Sequence, residues 1–224
     1  MLTLSTPRAY LKPMPPKKSA PRKPPRPYHH GNLRRALLDE ALSTIRREGV
    51  EGVTLREIGA RLGVSRTALY RHFADKRALL SAVAAEGFRT LREQLVAAWE
   101  GGGEGMAGFE AMGLAYVQFA VANQTHFRVM FSRYIEREPA DPELASEGSG
   151  AFMALENAVV ALQRGGELRA DDTDLMTRHI WAVVHGVANL AIDGRLAEPG
   201  GVDRLTRYSI ERLQLGIAAQ RRGR

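Results

Sequence analysis

The chain has 224 residues, 44% of them hydrophobic and 25% charged, an ordinary globular composition with enough apolar content for a substantial core. It contains no cysteine, which excludes disulfide frameworks, thiolate zinc sites, iron–sulfur clusters and cysteine nucleophiles and makes a reducing, cytoplasmic setting the expectation. The nearest approach to a membrane span, Met106 to Ala122, is broken by Glu110 and Gln118, and the N-terminus lacks the apolar centre of a signal peptide.

The net charge of +7 is unevenly spread: residues 1–27 carry seven Lys or Arg and no acid, residues 28–90 carry +4, and residues 91–224 carry −4. A basic front and a mildly acidic rear suggest a polyanion as the partner of the first and something else for the second. Residues 1–27 also hold eight prolines and almost no large apolar side chains, so a disordered arm is expected there. It is either an extension without consequence or a flexible source of phosphate contacts.

From Gly31 onward helical periodicity dominates and no convincing alternating strand appears, so an all-α fold is predicted. Leu33, Leu37, Leu38, Ala41 and Ile45 mark a first helix that stops at Gly49. Thr54-Leu55-Arg56-Glu57 has the form of a capping box, which starts a second helix running to Leu62. Gly63-Val64-Ser65 turns the chain, and Ser65 can cap a very short third helix through Tyr70. Asp75 can cap a fourth, continuing to Trp99 and ended by Gly101-Gly102-Gly103. Further helices are expected over Met106 to Ala122, Thr125 to Tyr134, Gly150 to Arg164 and Thr173 to Arg195, with a last one from near Asp203. Glu136 to Ser149, rich in acids and containing two prolines, reads as a surface loop.

Two helices joined by so tight a turn form a helix-turn-helix candidate. Arg66, Thr67, Tyr70 and Arg71 lie on its second helix, His72 follows, and Lys76 opens the next. Arg can bond guanine O6 and N7 together, the Thr methyl and Ala68 can meet a thymine methyl, and Tyr, His and Lys suit phosphate oxygens. Val64 and Leu69 are expected to face inward with Ile58, Leu62 and Phe73.

Over Gly49 through Leu80 the sequence resembles the TetR family of transcriptional regulators. The resemblance is carried by Thr54-Leu55-Arg56-Glu57-Ile58, Leu62-Gly63-Val64-Ser65 and Leu69-Tyr70-Arg71-His72-Phe73-Ala74-Asp75-Lys76. Gly59 departs from the alanine usual after that isoleucine and should weaken its helix slightly. The resemblance implies base contacts from Arg66, Thr67 and Ala68, phosphate contacts from Tyr70, His72 and Lys76, and a supporting role for Thr54 and Arg56 at the start of the preceding helix. Ser65 and Arg71 complete the expected DNA-binding set. The lead-in Tyr28-His29-His30-Gly31-Asn32-Leu33 looks like the opening of one TetR subgroup; its paired histidines have no acidic or cysteine neighbour in sequence, so no metal and no cofactor is expected.

Residues 28–75 thus read as a helix-turn-helix DNA-binding domain and residues 76–224 as a helical regulatory and dimerisation domain. Trp181, His185 and Gly186, with His126 to Phe131, resemble the C-terminal subtype known as WHG. The helix bearing them is apolar over more than half its circumference, and Ala182 and Gly186 are small residues one turn apart. The resemblance implies that the last two helices pair with those of a second copy in a homodimer.

Arg178, His185 and Asn189 share a narrow polar stripe of that helix, which is either a solvent edge with a structural histidine or a set of ligand anchors. Trp181 and the aromatic and Met residues Phe88, Met112, Tyr116, Phe119, Phe127, Met130, Phe131 and Phe152 could line an apolar pocket for a small-molecule effector. The leading expectation is a dimeric repressor that binds double-stranded operator DNA and is released by such a ligand. A regulator without a small ligand, controlled by a protein partner or by abundance, is the alternative. Against an enzyme, the chain has no Gly-x-Ser-x-Gly, no phosphate-binding Gly-rich loop and no His-Glu-x-x-His. A basic membrane-surface protein is the remaining class suggested by the tail.

Overall fold

The computed structural model describes residues 33–135 and 141–218. The expected arm at 1–27, the paired histidines and residues 136–140 of the expected acidic loop lie outside them. The described residues form nine helices, and Leu168 and Ala218 make an isolated bridge. In chain order these are α1 (Leu33–Glu48), α2 (Leu55–Leu62), α3 (Arg66–Tyr70), α4 (Lys76–Gly101), α5 (Gly105–Ala122), α6 (Gln124–Met130), α7 (Pro142–Arg164), α8 (Thr173–Ile192) and α9 (Gly201–Ile217).

Helices α2, α3 and α4 each start at a cap that their sequence provides. Thr54 Oγ1 accepts from the Glu57 N–H at 3.2 Å, Ser65 Oγ from the Ala68 N–H at 3.2 Å, and an Asp75 carboxylate oxygen from the Ala78 N–H at 2.8 Å. Between α2 and α3 the chain reverses at Gly63, whose φ of 67° is left-handed. The Gly63 N–H reaches the Ala60 carbonyl and the Val64 N–H reaches Gly59, so the last free carbonyls of α2 are bonded in a Schellman arrangement.

Leu37, Leu38, Ile45, Ile58, Leu69 and Phe73 are buried between these helices, with Leu62 and Val64 half-buried against them. Gly59 has a packing role that its helix propensity conceals: a Cβ there would meet Leu69 Cδ1 at 2.9 Å. Alanine there requires the tip of the Leu69 side chain to shift.

α4 is the central element. Leu79 through Ala85 are buried without interruption, followed by Gly87, Leu91 and Leu95. Its first turns close the core of the N-terminal helices, and its later turns pack on α5, α6 and α7. α8 and α9 complete the second half against α5 and α7.

Several boundaries differ from the sequence reading. α7 begins at Pro142 rather than Gly150, so Glu143 to Ser149 are helical. The acids that suggested a loop instead serve the helix: Asp141 accepts from the Leu144 N–H at 3.0 Å, Pro142 stands where no N–H is needed, and Glu143 lies near the positive end of the dipole. Glu143 and Glu147 then face α4, where Arg89 bonds both at 2.7 and 2.9 Å and Arg92 pairs with Glu147 at 3.1 Å. α6 ends at Met130, because the segment to Ile135 continues only as turns. α8 ends at Ile192 and α9 starts at Gly201, shifts of a few residues at frayed ends.

At the α4–α5 corner two glycines permit backbone contact. A Cβ on Gly108 would lie 2.8 Å from the Trp99 carbonyl oxygen, and one on Gly102 would lie 2.7 Å from Gly108 Cα. Backbone cannot yield as a flexible side chain would, so Gly108→Ala should lower stability by about 1–3 kcal/mol. Urea unfolding at constant m-value measures this; an unchanged midpoint would show that the corner relaxes freely.

Candidate nucleic-acid interface and internal cavity

The outer surface of α2 and α3 presents a cluster of unengaged side chains. Arg56, Arg66, Thr67, Tyr70, Arg71 and His72 are all exposed, Tyr70 at 47%. Among the described residues no side-chain hydrogen bond or ion pair holds Arg56, Arg66, Arg71 or His72. Arg61 of α2 and the arginines of α1 are instead paired: Arg61 with Glu40 and Glu48, Arg47 with Glu40, Arg35 with Asp39 and Glu86. The contrast sorts the cations into those that tie helices together and those that project from a rigid support.

The other members of the expected DNA-binding set stand differently. Thr54 and Ser65 are exposed but use their hydroxyl oxygens as helix caps, and Ala68 is half-buried. Lys76 is half-buried and bound: its Nζ donates to the Glu51 carbonyl oxygen at 3.1 Å and lies 5.2 Å from the centre of the Tyr134 ring. Tyr134 in turn donates its hydroxyl proton to Glu51 Oε1 at 3.0 Å. A hydrogen bond from its own backbone, the Tyr134 bond and the cations Lys76 and Arg133 hold the exposed Glu51 carboxyl below its usual range. Lys76 thus joins the turn before α2 to the segment after α6.

A cavity of about 230 Å³ lies in the second half. Phe88, Leu91 and Leu95 of α4, Phe109, Met112, Gly113 and Tyr116 of α5, Phe131, and Gly148, Ala151, Phe152 and Leu155 of α7 line it, with Ile180, Trp181 and Val184 of α8 and Ile210 and Leu213 of α9. Of the residues expected from sequence to meet a ligand, Phe88, Met112, Tyr116, Phe131 and Trp181 reach this wall, as does Phe152. Phe119, Phe127 and Met130 do not; all three are buried in the core around α4. Arg178 is exposed, paired with Asp174 at 2.8 Å and packed over the Phe152 ring. Asn189 donates back to the His185 carbonyl at 2.8 Å, and neither residue lines the cavity. The aliphatic lining, Leu91, Leu95, Leu155, Ile180, Val184, Ile210 and Leu213, carries no signal that separates it from ordinary core.

Behind the wall three polar side chains from two helices are bonded together. The Trp181 indole N–H donates to the Tyr116 hydroxyl oxygen at 3.1 Å, and that hydroxyl lies 2.8 Å from His185 Nδ1. Indole can only donate, so the Tyr116 oxygen accepts there, and the direction of the Tyr116–His185 bond follows the histidine tautomer. Burial pushes the Tyr116 phenol well above its ordinary value and lowers His185, favouring the neutral form of each. The His185 ring stacks on Phe127 with centroids 5.3 Å apart and meets Phe131 edge-on at 4.5 Å.

This geometry defines a class: a helix-turn-helix protein whose exposed, unpaired basic surface is built onto a helical body with an apolar cavity. Residues 37–83 match the family model for bacterial regulatory proteins of the tetR family, and residues 109–213 match that of the tetracyclin repressor-like C-terminal domain. The chain belongs to the TetR family, whose members are transcription regulators and not enzymes. The C-terminal match is to a different domain family from the WHG type expected from Trp181, His185 and Gly186; those side chains form a buried bonded cluster and an open helix face that other helical bodies can also contain.

The class C tetracycline repressor of Escherichia coli is 49% identical over 51 residues, which spans 23% of this chain and 23% of that repressor. A protein of unknown function from Rhodococcus sp. RHA1 is 33% identical, with a TM-score of 0.77 over 86% of this chain and 99% of the other. A TetR family transcription regulator from Marinobacter aquaeolei VT8, 17% identical, shares the fold at a TM-score of 0.64 over 84% of this chain and 96% of its own. Among the described residues no helix is long and apolar enough to cross a membrane.

The half-buried histidines His126 and His185 set a pH dependence. His185 is lowered by desolvation alone. His126 is lowered mainly by desolvation and partly by Arg35 and Arg46, against the opposing pull of Glu86, whose carboxylate lies 3.7 Å away. Below about pH 6.5 an unfolded chain takes up protons that these folded sites resist, so stability is lost as pH falls toward the lowered values. The urea midpoint should be flat from pH 8 to 7 and decline from pH 6.5 to 5. The double variant His126→Gln/His185→Gln should decline less steeply over that range; parallel profiles would assign the effect to other groups.

Proposed function

We propose that the chain is a cytoplasmic, dimeric repressor that binds a double-stranded DNA operator and is released from it by a small, largely apolar ligand. The observation that carries this reading is the set of unpaired, exposed Arg56, Arg66, Arg71 and His72 on a capped helix-turn-helix in a TetR-family chain. An arginine whose guanidinium has no internal partner is available to bond a guanine or a phosphate without first breaking an ion pair. In this reading Arg66, Thr67 and Ala68 meet bases, while Tyr70, Arg71, His72 and Arg56 grip backbone. Lys76 is a weaker candidate for phosphate because it is bonded to Glu51.

The cavity supports the ligand-responsive form of the reading over one controlled only by abundance or a protein partner. α4 links the two ends: Lys76 at its start is tied to Glu51 and Tyr134, and Phe88, Leu91 and Leu95 further along line the cavity. A helix rises about 1.5 Å per residue, so the cavity begins roughly 18 Å from Lys76 along α4. A ligand that favours a different position of α4 shifts the spacing of two recognition helices away from the roughly 34–36 Å of successive major grooves.

Support for the dimer comes from the face left open on α8 and α9. Leu175, Leu190, Tyr208 and Leu215 are exposed at 66, 45, 57 and 68%. Ala182 and Gly186 lie on the same side of α8 as Leu175 and Leu190, and a Cβ on Gly186 would meet nothing within 4 Å. Gly186→Trp should keep the fold of one subunit and abolish the dimer in sedimentation velocity; a dimer of unchanged affinity would move the interface elsewhere.

Fragments of genomic DNA selected by the purified chain test the DNA reading directly, and failure to enrich any sequence would remove it. On the enriched site, Arg66→Ala should cost about 1–3 kcal/mol and relax preference at one or two base pairs across a randomised library. Retention of the original preference would take Arg66 out of base contact.

A further inference from the structure

We propose that Tyr134, far outside the helix-turn-helix in sequence, is a positioning residue for DNA reading: it clamps the two ends of the α2–α3 unit in the orientation that meets the operator. The inference rests on the DNA-binding reading above and adds to it a side chain from the second half of the chain.

The unit begins and ends in one place. Glu51 lies three residues before Thr54, the cap of α2, and Lys76 directly follows Asp75, the cap of α4. Lys76 Nζ donates to the Glu51 carbonyl oxygen at 3.1 Å, so the chain entering α2 is bonded to the chain leaving α3. Tyr134 holds both sides of that closure. Its hydroxyl donates to Glu51 Oε1 at 3.0 Å, and the centre of its ring is 5.2 Å from Lys76 Nζ.

A clamp needs a fixed base, and the segment that carries Tyr134 has one. Three residues earlier the Phe131 ring packs against Phe127, Phe88 and Trp181, with centroids 4.9, 5.6 and 6.2 Å apart. Beside it α6 approaches α4 so closely that a Cβ on Gly87 would meet Met130 Sδ at 2.5 Å. The Ser132 hydroxyl donates to the Val129 carbonyl at 2.9 Å, and the Ile135 N–H returns to Ser132 at 3.3 Å. These bonds fold the segment back on the helical body, and from there Tyr134 reaches the helix-turn-helix.

Base contacts from Arg66 and Thr67 require α2 and α3 at one angle to the duplex. Ends that are tied beforehand have less freedom to lose on binding, and a binding surface is only as well placed as the contacts behind it. Attraction to phosphates in DNA of any sequence does not need that angle. Loss of the clamp therefore weakens the operator more than random duplex.

Fluorescence anisotropy of the full-length chain on the enriched site and on a random duplex tests this. Tyr134→Phe keeps the ring beside Lys76 and loses the bond to Glu51. It should weaken the enriched site about three- to tenfold, the span of one net hydrogen bond, and leave the random duplex nearly unchanged. Glu51→Ala should lose the same preference, and the double variant should be no weaker than the weaker single. Glu51→Gln also removes the charge but keeps an oxygen that accepts from Tyr134, so it should bind the site more tightly than Glu51→Ala. Unchanged operator affinity in Tyr134→Phe, an equal loss on random duplex, additive losses in the double variant, or Gln no better than Ala would each overturn the inference and leave the DNA reading standing. If no sequence is enriched at all, the DNA reading falls and the inference with it.

Discussion

Everything in this fold depends on the burial of α4. A helix that buries Leu79 to Ala85 in succession has no solvent face over two turns, so it must be covered on all sides there. The N-terminal helices supply one cover and α5, α6 and α7 the others. The same hydrophobic demand that makes the helix-turn-helix fold also welds it to the second half of the chain. Surface ion pairs such as Arg34 with Glu143, both about half exposed, add orientation more than stability.

Polar groups inside the second half obey a complementary rule. Tyr116, Trp181 and His185 come from α5 and α8, and each satisfies another, so the cavity wall can be apolar without stranding a donor. Tyr116 is the shared member, so its loss leaves both Trp181 and His185 unpaired, whereas loss of either of those leaves the other bond in place. The cluster also holds α5 against α8 at a defined register beside the space. The cavity therefore has a rigid polar back and a softer aliphatic front.

The sequence was most legible where local chemistry decides the structure. Thr54, Gly63, Ser65 and Asp75 announce their turns because capping and left-handed glycine are short-range effects, and all four act as their spacing suggests. Legibility failed where a segment's partner lies far along the chain. Glu143 and Glu147 look like loop acids until Arg89 and Arg92 are known to face them. Phe127 and Phe131 are four residues apart on neighbouring turns, yet Phe131 reaches the cavity and Phe127 lies in the core against His185. Nothing in their local sequence distinguishes those two fates. Gly59 shows the same limit in a smaller way, since its use depends on the approach of Leu69.

The junction at Asp75 and Lys76 is a boundary in sequence but not in packing. Cutting there would strip Leu79, Leu80 and Val83 from the core beneath α1, leave Arg35 without Glu86 and Arg34 without Glu143, and free the Glu51 carbonyl from Lys76. The DNA-reading helices are therefore not an interchangeable cassette. New operator preferences grafted onto this body, or new sensors grafted beneath these helices, have to carry the first two turns of α4 and its contacts across the joint.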